Sequence, residues 1–440
     1  MGQELTRENE LTREGWQKKS TNDEPRLSEL AETYKDIGYD VHLEPFHPEE
    51  EPGCTECMKS EANRYKTIYV RKKSDEESDI GGIAMTMVSW QMVAPNKPLQ
   101  QVESPLPEAG DGEVLLRVAG CGVCHTDLGF YYDGVRTKSP LPLTLGHEIS
   151  GIVEAVGPGA ERWKDKAAIV PAVIPCGDCD VCNRDLGNIC VTQKMPGNDI
   201  QGGFASHIVV PAAQLCEVPV DEDYKPEGQS GVSLEELSVI ADAVTTPYQA
   251  IDQSGLSRED TAIFVGVGGV GGFGAQIAKA FGAAVVAIDV DPAKLEAISP
   301  YVDCTFNAKE MAFKDLRKAV SGFVKEQGRR RTEWKIFETS GTTAGQKTAY
   351  GLLTFGAHLS VVGFTMDIAD IRLSNLMAFH ATARGNWGCL PRYYKPVLDL
   401  VLEDKVKISP FAKRFPLSEI NEVFEAVHSR KILQRPVLIP

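Results

Sequence analysis

Between Met85 and about Ala241 the apolar positions come in short runs cut by glycine and proline: EVLLRVAGCGV, SGIVEAVGPG, AAIVPAVIPCG and SHIVVPAAQLCEVP. Runs of that length with turn-forming residues between them predict a series of short strands and a β-rich, barrel-like domain. The rhythm then changes. The segment TAIFVGVGGVGGFGAQIAKAFGAAVVAIDVD reads as apolar strand, glycine turn, helix and second strand, a βαβ unit that predicts an α/β region with a parallel sheet.

Residues 1–83 have a different texture. They open on a near-duplicate, ELTREN then ELTREG, and close on the charge-dense RKKSDEESDIGG. Inside, PRLSELAETYKDIG has helical spacing, while YDVHLEPF and RYKTIYVRK alternate as strands do. This stretch is expected to be an appendage, and the sequence assigns it no function. Its Cys54 and Cys57 form a C-x2-C pair, read as two reduced surface thiols in preference to half of a metal or redox site, because the appendage holds no second pair.

Composition narrows the function classes. A chain of 440 residues with 42% hydrophobic residues can bury sizeable cores and is expected to form two or three domains. Its formal net charge of −16 argues against nucleic acid as a partner, since phosphate binding needs a basic face. The N-terminus is charged throughout, and no stretch reaches the roughly 18 apolar residues of a membrane span, so no membrane partner and a cytoplasmic location are expected. In that compartment eleven cysteines should stay reduced, which turns any tight cysteine cluster toward metal.

The βαβ segment carries the first readable chemistry. Gly266, Gly268 and Gly271 form G-x-G-x-x-G directly after the apolar run AIFV, with Gly269 and Val270 between them. The first glycine allows a tight turn, the second lets backbone N–H groups approach a pyrophosphate, and the third lets helix pack on strand. Asp289 follows Gly271 by 18 residues at the end of the second strand, where a carboxylate can accept hydrogen bonds from the adenosine ribose hydroxyls. The neighbouring DVDPAK is acidic and lacks a nearby arginine, so NAD is expected over NADP.

Two clusters of soft and hard donors come next. Cys176, Cys179, Cys182 and Cys190 are spaced C-x2-C-x2-C-x7-C, so one loop can wrap four thiolates around a tetrahedral ion and leave no position for water, the pattern of structural zinc. In GCGVCHTDLGF and LTLGHEISG, Cys124, Thr126 and Asp127 precede His147 and Glu148 by about twenty residues. A cysteine and a histidine with one further ligand would hold zinc while keeping a fourth position for a substrate oxygen.

With these motifs in the order GVCHTD, GHE, four-cysteine loop and GVGGVG closing on Asp289, residues 85–440 resemble the medium-chain, zinc-dependent alcohol dehydrogenases. The resemblance implies a Rossmann domain with a doubly wound parallel sheet at 242–384, set into a GroES-like catalytic domain split between 84–241 and 385–440. It implies NAD, two zinc ions per subunit, and a homo-oligomer, dimer or tetramer. It also implies roles: Cys124 and His147 as ligands of the catalytic zinc, Asp127 orienting His147, Glu148 just behind the metal, and Thr126 taking the hydroxyl proton.

Two departures stand out. Where many members supply a third ligand as cysteine, SVIADAVTTPYQA places Asp242, a harder donor that zinc accepts, or else a cap for the helix that follows. Gly129 stands where many members carry a proton-relaying histidine. The loops AGCGVCHTDLGFYYDGVRT, MPGNDIQGGFASH, ADAVTTPYQA and LSNLMAFHATARGNWGCLP look like those of a member acting on an acyl-CoA, which implies a small-molecule acyl-CoA substrate. A general alcohol or polyol dehydrogenase keeps every residue named above. An NAD-sensing protein on the same fold is the more distant alternative. Arg136, Lys138 and Arg329 to Arg331 could reach CoA phosphates, but solvated loops are the plainer reading.

Overall fold

The computed structural model describes residues 11–12, 15–36, 39–46, 64–72 and 85–440. Cys54 and Cys57 lie outside the described residues. The chain divides into two compact units, Met1–Met85 and Thr86–Pro440. In the first, strands Gln17–Asn22, Lys66–Lys72 and Tyr39–Pro45 form an antiparallel sheet in that order, and helix Arg26–Asp36 sets Leu27 against Ile68 and Val70. The helix and the latter two strands fall where the alternation predicts them, and Gln17–Asn22 is a strand that the polar sequence QKKSTN conceals.

The second unit holds two large sheets of opposite character, beside a small antiparallel one of Gln100–Pro105, Thr86–Met92 and Leu143–Thr144. In the first, strands Cys216–Val218, Ala167–Val170, Glu148–Val156, Glu113–Gly122, Arg435–Ile439 and Ala412–Pro416 lie side by side, and His207–Pro211 also pairs with Glu113–Gly122. All of these pairings are antiparallel except the last two strands, which run parallel. Alternate residues of each strand fill a core around Leu116, Leu145, Ile149, Phe204 and Phe424. Strand Arg435–Ile439 joins the earlier strands directly, with Val437 opposite Gly122 and Leu438 opposite Cys121. The chain therefore returns to this sheet after building the other one.

That other sheet is wholly parallel. Its order is Cys304–Asn307, Ala284–Asp289, Thr261–Val265, Lys335–Glu338, His358–Val361, Thr382–Gly385. Numbered along the chain this is 3-2-1-4-5-6, the doubly wound arrangement whose switch point lies between the first and fourth strands. Strand Thr261–Val265 is buried along its length, as a strand covered by helices on both faces must be. The helix Gly269–Ala280 covers one face, and Leu316, Val320 and Val324 of helix Phe313–Glu326 pack on the other. Among the described residues no helix is long and apolar enough to cross a membrane.

Candidate active site

The glycine turn sits at the switch point. Gly266 adopts φ +92, and a Cβ there would come within 2.5 Å of the Ser340 backbone, so only glycine can take this corner. A Cβ on Gly271 would lie 1.9 Å from the Gly266 carbonyl, which is why helix Gly269–Ala280 can start so close to the strand before it. Gly268 caps that helix, and Gly269 and Val270 form its first turn, where backbone N–H groups lack partners within the helix. Two cations attend the turn: the Lys294 amine lies 3.7 Å from where a Gly268 Cβ would be, and the Arg435 guanidinium 3.2 Å from that of Gly269. Open N–H groups and two cations suit a pyrophosphate. Asp289 is held in place by the Val267, Val290 and Asp291 N–H groups, which its carboxylate accepts at 2.8, 2.7 and 3.0 Å.

The four cysteines of the 176–190 loop do converge. Their sulfurs are separated by 3.4 Å (Cys179–Cys182), 3.5 Å (Cys176–Cys190), 3.7 Å (Cys179–Cys190) and 3.9 Å (Cys176–Cys182). Four sulfurs on tetrahedral bonds of about 2.3 Å would stand about 3.8 Å apart. The donor set fits one zinc ion with no position left over.

A second cluster is buried where the two sheets meet. One ligand atom each of Cys124, His147, Glu148 and Asp242 lies within 4.8 Å of all the others. The Cys124 sulfur is 3.4 Å from Asp242 Oδ2, and His147 Nε2 is 3.7 Å from the same oxygen. Sulfur, nitrogen and oxygen at their usual zinc bond lengths would be separated by about 3.3 to 3.6 Å, so these three fit an ion with a free fourth position.

Asp127 organises this cluster from behind. It is fully buried; Oδ2 accepts the Cys124 N–H at 2.9 Å, Oδ1 accepts the Gly146 N–H at 3.2 Å, and Oδ1 also lies 3.4 Å from His147 Nδ1. One carboxylate thus fixes the backbone beside both donors and turns His147 Nε2 toward the metal side. Burial disfavours the His147 imidazolium, but the Asp127 charge, aided by Asp242 and Cys124, outweighs it and holds the pKa well above 6.5. Burial likewise works against the Asp242 carboxylate, yet its contacts with His147 keep it below the ordinary range. Such a field of acceptors around an imidazole is what a divalent cation would neutralise.

Thr126 places its hydroxyl 3.6 Å from the Cys124 sulfur, at the start of helix His125–Tyr131. Glu148 is fully buried, and its carboxylate is engaged by other donors. Its Oε2 accepts Arg435 Nε at 3.0 Å, its Oε1 meets the second guanidinium nitrogen, and Oε1 also accepts the Ala243 N–H at 3.0 Å. Burial pushes the Glu148 carboxyl up and Arg435 pulls it back. Asp242 does not cap the helix after it: Val244 holds that position, with no side-chain bond.

Sequence reasoning passes over four residues that matter here. Arg435 links the back of the metal cluster to the glycine turn from 287 residues beyond Glu148, and nothing local marks it. Lys294 was visible as the lysine of DVDPAK. His125, inside GVCHTD, opens on solvent, yet desolvation by the surrounding walls and then Arg435, Lys294 and Arg430 lower its pKa to about 4, leaving it neutral at pH 7. Thr246 donates to Asp242 Oδ1 at 2.5 Å. Of the arginines offered for CoA, Arg330 pairs with Asp260 and Arg329 with the Arg258 carbonyl; Lys138 pairs with Asp199, while Arg136 lines a hollow of about 260 Å³ with Met92, Phe130, Val135 and Leu141.

Comparison with known proteins agrees with this geometry. Residues 110–220 match the alcohol dehydrogenase GroES-like domain and residues 269–403 the zinc-binding dehydrogenase family. An alcohol dehydrogenase of Geobacillus stearothermophilus is 30% identical over 346 residues, 78% of this chain and 96% of its own. An NAD-dependent alcohol dehydrogenase of Sulfolobus acidocaldarius is 27% identical over 357 residues, with 78% and 96% covered. In fold, the chain is similar to galactitol-1-phosphate dehydrogenase from Escherichia coli (TM-score 0.71, 23% identity, 80% of this chain and 100% of that one). It is also similar to a cobalt- and zinc-bound alcohol dehydrogenase from Pyrobaculum aerophilum (TM-score 0.68, 24% identity, 81% and 100% covered). The chain belongs to the medium-chain, zinc-dependent alcohol dehydrogenase family, NAD-dependent oxidoreductases that act on CH–OH donors.

Proposed function

We propose that this enzyme oxidises the allylic secondary alcohol of 6-hydroxycyclohex-1-ene-1-carbonyl-CoA to the 6-oxo ketone with NAD as acceptor, a step of anaerobic aromatic degradation through benzoyl-CoA. The chemistry is carried by one observation, the convergence of Cys124, His147 and Asp242 beside the Thr126 hydroxyl. The choice of substrate is supported by the resemblance of the loops at 119–137, 195–207, 241–250 and 373–391 to those of an enzyme with that activity.

In this reading Cys124, His147 and Asp242 hold the catalytic zinc, and Cys176, Cys179, Cys182 and Cys190 hold the structural one. Bound zinc supplies Lewis-acid polarisation of the alcohol oxygen, and bound NAD accepts the hydride. Thr126 Oγ1 receives the hydroxyl proton and passes its own outward. Gly129 offers no side chain to continue that path, so the proton leaves through water or a cofactor hydroxyl. Asp127 keeps Cys124 and His147 in place, Glu148 closes the rear with Arg435, and Lys294 with Arg435 balances the pyrophosphate charge over the turn Gly266–Gly271. Asp289 faces the adenosine ribose.

Arg136, which lines an apolar hollow, is the cation this reading assigns to a phosphate of CoA. A homo-oligomer is supported by the exposed side chains of Phe364, Met366, Ile368, Leu373 and Met377, which lie just before the edge strand Thr382–Gly385. The substrate is tested by NADH absorbance. The CoA ester should be oxidised at least about a hundredfold more efficiently than cyclohex-2-en-1-ol, on the order of 3 kcal/mol, because the remote CoA moiety helps position the ring. Equal efficiency would favour a general alcohol or polyol dehydrogenase.

A further inference from the structure

Asp242 ends the turn Glu236–Ala241, and the helix Thr245–Gln253 begins three residues later. Its two carboxylate oxygens have separate environments. Oδ2 faces the Cys124 sulfur at 3.4 Å and His147 Nε2 at 3.7 Å. Oδ1 is turned the other way and accepts the Thr246 hydroxyl at 2.5 Å, while the Thr246 N–H donates to the Asp242 carbonyl at 2.9 Å. Thr246 is itself anchored: its carbonyl accepts Asn386 Nδ2 at 3.3 Å, and Asn386 Oδ1 accepts Nε2 of the fully buried Gln249 at 3.0 Å. Gln249 Oε1 in turn accepts the Leu390 N–H at 2.9 Å.

A thiolate offers a metal one atom. A carboxylate offers two and can close on the ion with both, which would fill the position that a catalytic site must keep for its substrate. We propose that Thr246 is a positioning residue that withdraws Oδ1 and so fixes Asp242 as a one-oxygen donor. This rests on the reading of Asp242 as a ligand of the catalytic metal. The hydroxyl is the compensation that the change from thiolate to carboxylate requires.

The test uses the full chain with cobalt at the buried site and zinc in the four-cysteine lobe. Thr246→Val keeps the branched shape and removes the hydroxyl; Thr246→Ser keeps the hydroxyl and removes the methyl. In Thr246→Val the visible cobalt bands should weaken toward those of a five-coordinate ion, and kcat should fall about 10–100-fold with the KM for NAD unchanged. Thr246→Ser should retain the wild-type spectrum and kcat within a few-fold. A wild-type spectrum in Thr246→Val, or a Thr246→Ser protein that behaves as Thr246→Val does, overturns the proposal. Asp242→Ala separates the two ideas: if it too leaves the cobalt spectrum untouched, Asp242 is not a ligand and the underlying reading fails instead.

Discussion

Cys176, Cys179, Cys182 and Cys190 reach one another within fifteen residues of chain, whereas Cys124 and Asp242 lie 118 residues apart and meet only where the two sheets close together. The first cluster has four identical donors, with one sulfur exposed and one buried. The second mixes sulfur, nitrogen and oxygen, and its His147 and Asp127 are almost wholly shielded from water. A ring of four thiolates saturates its ion, and a short loop can supply it without help from the rest of the fold. An ion that must accept a substrate has to be held by fewer donors, and holding three of them steady without a fourth takes walls built from distant chain.

The contrast can be broken most directly at His147. His147→Ala should lose one of two zinc ions per subunit and at least about a thousandfold in turnover, with the thermal unfolding midpoint little changed. Metal analysis beside an NADH assay decides it; a fully active subunit with a single zinc would remove the division between the two clusters. Cys179→Ser is the opposite case. It should lose the other zinc together with a substantial part of the folding free energy, read as a lower denaturation midpoint, while the freshly prepared protein still turns over. Unchanged stability after that loss would mean that the lobe is held by its own packing.

A smaller effect sharpens the picture of the buried cluster. Arg435→Met removes the only guanidinium bonded to Glu148 among the described residues and leaves a buried carboxylate uncompensated. A cost of about 3–5 kcal/mol is expected in chemical denaturation, largely recovered in Arg435→Met with Glu148→Gln. Additive losses in the double variant would show that the two side chains act independently.

How far the sequence could be read follows the same division. The four-cysteine spacing and the turn Gly266–Gly271 are legible because each motif completes itself within one stretch, and the structure brings each together as its spacing implies. The continuous apolar run AIFV followed by the glycine turn likewise announces the parallel strand Thr261–Val265 and its helix. The polar strand Gln17–Asn22 was hidden because its partners, not its own side chains, make it a strand. Arg435 is hidden for a related reason: nothing in RPVLIP marks it, and only tertiary pairing with Glu113–Gly122 brings the guanidinium to Glu148. Thr246 carries no signal of its own in the sequence, because only the folded chain turns Asp242 Oδ1 back toward its hydroxyl.

The return of strand Arg435–Ile439 to the earlier sheet also bears on how the protein is made. At ribosomal speeds of about 5–20 residues per second, the 287 residues separating Glu148 from Arg435 take on the order of 15 to 60 s to emerge. Throughout that interval the carboxylate that will lie at the heart of the enzyme has no guanidinium to meet, and the end of strand Glu113–Gly122 at Cys121 and Gly122 lacks its later neighbour. A growing chain can wrap its cysteine lobe early, but the dehydrogenase centre is sealed only when this late strand slides into place. Until then a nascent chain lacks the guanidinium that balances Glu148 and leaves the backbone at Cys121 and Gly122 unpaired on that side.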